Sequence, residues 1–252
     1  MSTSPRAALW GVRLVTILGL LILIEAAARL RWVDPLTLVP VTQMVERLVT
    51  ITLSGELWPH FAQTSGAVLL SVFLSVASGL PLGLLLWRAR RLRQLLNPYL
   101  TAYYAIPIFV FYPLFISIFG MGLVPIVVIG WSWAVVGVVV NTAIGLEQIR
   151  PIYGKLAVQL GLAFWQRLRL VFLPAAAPHL FVGFKLAVIY GVIAVVASEF
   201  VLSTGGMGNR IAFFFNNFRV AEMYAYILLV LSIAIALTSA LLVWEQRARG
   251  RS

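Results

Sequence analysis

Tyr103, Tyr104, Tyr112 and Ser117, then Ser132 and Asn141, then Lys185, Tyr190, Ser198 and Glu199 are polar side chains set inside long apolar runs of the sequence. A hydroxyl, amide or charged group in such surroundings either bonds a neighbouring helix or meets a polar solute passing between helices. The sequence leaves both readings open, since tyrosines also anchor helices at a membrane interface and Pro107 and Pro113 also kink them. Other chemistries are poorly supplied. The chain has no cysteine, which excludes disulfides, thiol catalysis and thiolate metal sites. Its two histidines, His60 and His179, lie far apart. No GxxxxGK[ST] loop occurs, so any linked nucleotide hydrolysis belongs to another polypeptide. No cofactor is implied. Lys185 and Glu199 are 14 residues apart, about 21 Å along one helix, too far to pair within it. Lys185 reads as a snorkelling side chain at the inner end of its run, and Glu199 as a polar group near the outer end.

The elements that position these groups are membrane helices. Of 252 residues, 62% are hydrophobic and 11% charged, whereas a soluble domain carries about 25% charged residues. A crossing helix consumes about 20 residues. Apolar runs at about 9–28, 66–87, 102–119, 123–146, 180–202 and 224–244 therefore predict an all-α integral membrane protein with six transmembrane helices in a single domain, 1–252. The first run ends in Ala26-Ala27-Ala28, as a signal peptide does, but its length and Glu25 favour a retained helix.

The formal charge of +11 has a topological explanation. One cluster comprises Arg88, Arg90, Arg91 and Arg93, a second Arg150, Lys155, Arg167 and Arg169, and a third Arg247, Arg249 and Arg251. With six spans and the amino terminus inside, all three clusters and both termini fall on the cytoplasmic side of a bacterial inner membrane. The arginines are then anchors at the lipid surface, and no nucleic-acid partner is expected. On the opposite side, Val41, Met44, Val45, Leu48 and Thr52 recur at helical spacing and predict an amphipathic interfacial helix between 29 and 65.

The segment 150–178 is the most informative. Pro151 suits a first helical position, and Ile152, Tyr153, Leu156, Ala157 and Leu160 share a face. Gly161 stops that helix. A second short helix carries Phe164, Trp165, Leu168 and Phe172 on one side and is predicted to end ahead of Pro174. Four cations and no acid lie between Arg150 and Pro178. Such a unit is too polar to span and too apolar to be a free linker, so its faces rest either on the bilayer or on a partner.

Ala157, Gly161 four residues later, and the distant Leu173-Pro174 resemble the cytoplasmic signature of ABC transporter permeases of the binding-protein-dependent type. Ser78-Gly79-Leu80-Pro81-Leu82-Gly83, Ala105-Ile106-Pro107, Asn141-Thr142-Ala143, Gly145-Leu146, Ser198-Glu199-Phe200 and Gly205-Gly206-Met207-Gly208 are similar to the nitrate, sulfonate and taurine branch of that family. One departure is plain: Lys155 occupies the place of the signature's acidic residue, and Leu156 that of its first alanine.

The resemblance implies a permease subunit of the type I ABC importer kind, carrying a small polar solute such as a sulfonate, taurine or nitrate. Cytoplasmic ATPase subunits would grip the 150–178 loop, with Lys155, Ala157, Gly161, Leu173 and Pro174 as the coupling residues. An external solute-binding protein and a homodimeric permease are likewise implied. Tyr103, Tyr104, Tyr112, Asn141, Ser198 and Glu199 are the candidates for the translocation path. An ATPase-independent channel or secondary carrier is the alternative, while a membrane enzyme would need ionisable groups converging at one depth, which the spans do not offer.

Overall fold

A computed structural model describes residues 5–103, 106–202 and 204–249. Its helices are α1 (Pro5–Arg29), α2 (Val41–Leu53), α3 (Leu57–Arg88), α4 (Arg90–Tyr103), α5 (Tyr112–Phe119), α6 (Leu123–Glu147), α7 (Pro151–Gln159), α8 (Phe164–Arg167), α9 (Leu173–Leu202), α10 (Met207–Asn216) and α11 (Val220–Arg249). Two compact units result, one of Met1–His60 with Arg210–Ser232 and one of Phe61–Asn209 with Ile233–Ser252.

Among the described residues four helices are long and apolar enough to cross a membrane: Leu57–Arg88, Leu123–Glu147, Phe164–Val201 and Val220–Arg247. The sequence suggests six. The first apolar run forms α1. The run at 102–119 is not one helix: it passes from α4 to a 3-10 turn at Ile108–Phe111 and then to the eight residues of α5, about 12 Å of helix. Pro107 has no N–H to continue a ladder and disfavours helical geometry at the residue before it. Pro113 suits the first turn of a new helix, where its missing donor costs nothing.

The larger unit is organised around α6, whose buried residues are distributed around the helix rather than along one face. Ala67, Ser71, Ser75, Gly79 and Gly83 recur every four residues along α3 and bring its backbone against α6. The Ser71 and Ser75 hydroxyls each share a proton between the carbonyl four residues back and an α6 carbonyl, that of Val127 (3.2 Å) or Trp131 (3.1 Å). A Cβ at Gly79 would sit 2.7 Å from Val138 Cβ, and one at Gly83 would sit 2.5 Å from Thr142 Cβ. On the other side, Gly145 of α6 admits His179 of α9, and Gly183 of α9 admits Asn141. The Gly-rich motifs read from the sequence are thus backbone-approach points, the way helices associate where lipid offers no hydrophobic driving force.

In the smaller unit the predicted amphipathic helix is α2. Met44 and Ile51 are its buried positions, while Val45 is exposed. Met44 packs with Val39 and Val220. Glu25 of α1 fixes the start of α2: it accepts from the Thr42 backbone N–H (3.1 Å) and hydroxyl (2.9 Å) and pairs with Arg29.

Gly83→Val is expected to lower stability by about 1–3 kcal/mol, the usual cost of forced overpacking. Gly66→Ala, where nothing lies within 4 Å of the added Cβ, should leave stability unchanged or raise it by up to about 1 kcal/mol. Melting of the two variants in detergent, followed by fluorescence-detected size exclusion, separates the outcomes.

Candidate functional site

The segment 150–178 folds as a capped lever continuous with a crossing helix. Pro151 opens α7, and the helix closes in a Schellman turn: the Leu162 N–H donates to Ala157 O (3.1 Å) and the Gly161 N–H to Val158 O (3.0 Å). Gly161 adopts φ +68°, where a side chain would be strained. The Ala163 N–H donates to Gln166 Oε1 (2.8 Å), fixing the start of α8.

Contrary to the sequence expectation, the second helix does not end ahead of Pro174. Residues Leu168–Phe172 form a π turn in which the Leu173 N–H donates to Leu168 O, and the chain continues directly into α9. Pro174 offers no donor and its ring would crowd the carbonyl four residues back; the wider turn accommodates it without breaking the helix.

The coupling candidates therefore separate by role. Ala157 is 1% exposed and holds α7 down. Lys155 is exposed, Leu173 is half-buried at the head of α9, and Pro174 is exposed. Ile152, Tyr153, Leu156, Val158, Leu160, Trp165 and Leu170 are large apolar side chains left uncovered in this chain. Between α7 and the π turn lies a recess of about 250 Å³ whose lining includes Tyr153, Leu156, Ala157, Leu160 and Leu170. Arg88 rests over the Phe164 ring at 4.8 Å, tying the end of α3 to the lever.

At the far end of α9, Glu199 is fully buried and satisfied by its own chain. The Thr64 hydroxyl donates to its carboxylate (2.8 Å to Oε2), and the Gly208 N–H donates to Oε2 (3.1 Å). Thr64 Oγ1 in turn accepts the Met207 N–H (2.8 Å). The carboxylate thus sits at the N-terminus of α10, where unpaired backbone donors favour negative charge. Gly206 at φ +91° passes directly over it, leaving no room for a Cβ. This latch joins α3, α9 and the start of α10.

Ser198 is buried and donates to Ala194 O (2.7 Å), and the Asn141 amide donates to Gly137 O (2.8 Å). Tyr103 is half-buried and donates to Ser132 O (3.0 Å). Tyr112 is fully buried in an apolar cluster with Ile126, Ile129 and Val195, and its hydroxyl has no partner among the described residues. Tyr104 lies outside the described residues.

Sequence reasoning missed two partners. Thr64 stands beside a run of small residues that resembles an ordinary helix start, so nothing marked it as the ligand of a carboxylate 135 positions away. Lys185 pairs with Glu245 of α11 at 2.8 Å, both side chains mostly buried. Trp244, next to Glu245, packs edge-on to Phe181 (4.8 Å between centroids).

Residues 71–250 match the family described as the binding-protein-dependent transport system inner membrane component. The taurine transport system permease protein TauC of Escherichia coli (strain K12) is 27% identical over 186 residues, 72% of this chain and 68% of the relative. The osmoprotectant import permease protein OsmW of Salmonella typhimurium is 30% identical over 175 residues, 68% of this chain and 81% of the relative. A chain of the inward-facing MetNI methionine ABC transporter superposes with a TM-score of 0.63 at 20% identity, covering 74% of this chain and 93% of that one.

Thr64→Val strips the Met207 N–H of its acceptor and Glu199 of its hydroxyl donor, at an expected cost of about 1–3 kcal/mol. Hydrogen exchange at the Met207 and Gly208 amides should accelerate in this variant and not in Thr64→Ser. For the second pair, Lys185→Met should destabilise the protein by up to about 3 kcal/mol by breaking the mostly buried Lys185–Glu245 bridge. The exchanged pair Lys185→Glu with Glu245→Lys should recover part of that loss in the same melting assay.

Proposed function

The chain belongs to the binding-protein-dependent transport system inner membrane components, and on that premise we infer that it is the permease subunit through which an ATP-driven importer moves a small polar solute. It is a multi-pass membrane component and not the hydrolysing subunit. In this reading the lever of α7, Gly161 and α8 faces the cytoplasm, as do both termini, and docks into a separate ATPase. A solute-binding protein delivers the solute from the other side, and two copies of the chain enclose the path. Sulfonates, taurine and nitrate are the solutes that the sequence motifs favour; TauC is a relative of that kind, while OsmW, of similar identity, is an osmoprotectant permease.

The lever carries the inference. An exposed, capped, cationic helix pair with uncovered apolar side chains has no use in a channel that opens by itself, but suits an element gripped from outside. Its continuity with α9 means that a rigid displacement at Phe164 is transmitted along a helix of 38 residues, Phe164–Val201.

Gly161→Leu tests it. Leucine at this φ carries a penalty of about 1–2 kcal/mol in the left-handed region and loosens the turn without touching any span. Insertion and abundance should be retained while ATP hydrolysis is uncoupled from uptake in proteoliposomes. Unchanged coupling would overturn the assignment of the lever. Full-rate uptake with no ATPase present would overturn the importer itself.

A further inference from the structure

The charges around the lever are one-sided. Arg150, Lys155 and Arg169 are exposed, and Arg167 Nε is shielded from water with no hydrogen-bond partner among the described residues. No acid occurs from Arg150 to Pro178. The nearest preceding carboxylate, Glu147, is engaged by Arg93. Set among these cations is the concave apolar recess lined by Tyr153, Leu156, Leu160 and Leu170.

We propose that the surface of the ATPase that receives this lever is acidic, with carboxylates opposite Lys155 and Arg167 and an apolar side chain filling the recess. The proposal rests on the docking reading above and adds the sign and shape of the partner. Two features select a protein over anionic lipid headgroups. A fluid bilayer offers a recess only mobile acyl chains, whereas a protein knob of fixed shape can fill it with matched contacts. Val158 on α7 and Leu160 at its C-terminal cap are both more than half exposed, although they are two positions apart and therefore directed to different sides. A helix lying on lipid presents one apolar stripe, while a helix seated in a groove is touched on several sides. The exposed cations at the edge of the contact then steer association and reject partners with basic grooves.

Lys155 is exposed and makes no contact in the core, so Lys155→Glu and Lys155→Met are expected to insert and fold as the parent does. The full-length chain is reconstituted in phosphatidylcholine vesicles with the ATPase that purifies in complex with it, and binding is followed against KCl concentration. Parent binding should weaken with salt. Lys155→Glu should bind about tenfold or more weakly, since a like-charge juxtaposition is introduced, with Lys155→Met between the two. A lysine in place of one groove carboxylate on the ATPase should rescue Lys155→Glu and impair the parent. Salt-independent binding, or equal or tighter binding of Lys155→Glu, overturns the acidic groove. So does a Lys155→Glu defect that appears only when the vesicles contain phosphatidylglycerol, because lipid is then the anionic partner. In each of these cases an uncoupled Gly161→Leu variant shows that docking itself stands, and only an ATPase that fails to bind the parent removes both.

Discussion

Inside a bilayer one apolar helix gains nothing by exchanging lipid for another apolar helix, so association rests on how closely backbones can approach and on hydrogen bonds between them. In this chain that constraint falls on α6. It receives Ser71, Ser75, Gly79 and Gly83 of α3 on one side and Gly183 of α9 on the other, and yields its own Gly145 to His179. Everything chemically distinctive hangs on the resulting three-helix contact. The lever emerges from α9 just before His179, and the carboxylate latch sits near the opposite end of the same helix, facing α3.

Two charged groups of α9 are engaged within the chain. Glu199 faces a hydroxyl and the first turn of α10, and Lys185 faces Glu245. Each joins α9 to another helix, so α9 is held to α3 near its C-terminal end and to α11 near its middle. A helix fastened at two points along its length moves its neighbours when it moves. Fixed internal partners also explain how a buried acid and a buried amine are tolerated in hydrocarbon, where an unpaired charge would be costly.

Much of this was legible in sequence. The apolar runs, the basic clusters, the amphipathic α2 and the glycine turn at 161 follow from local pattern alone, because periodicity, capping and proline act over a few residues. The break in the 102–119 run was less so: its composition is that of a span, and only the combined effect of Pro107 and Pro113 divides it. The end of the second lever helix was misjudged for a related reason. Proline at 174 reads as a stop in any table of preferences, but a wider turn relieves the clash, and that turn packs on α7 and, through Phe172, against Trp87 of α3. Long-range pairs such as Thr64 with Glu199 and Lys185 with Glu245 leave no local trace.

The π turn at Leu168–Phe172 has an angular consequence. A helix advances about 100° per residue, so one residue more or less in a turn sets the rotational phase of everything beyond it. The five residues Leu168–Phe172 therefore fix the azimuth at which α8 leaves the membrane helix, as a keyway fixes a cam on its shaft. The same composition wound as uninterrupted α-helix would present Phe164 and Trp165 to a different quadrant, and Arg88 would no longer find a ring beneath it.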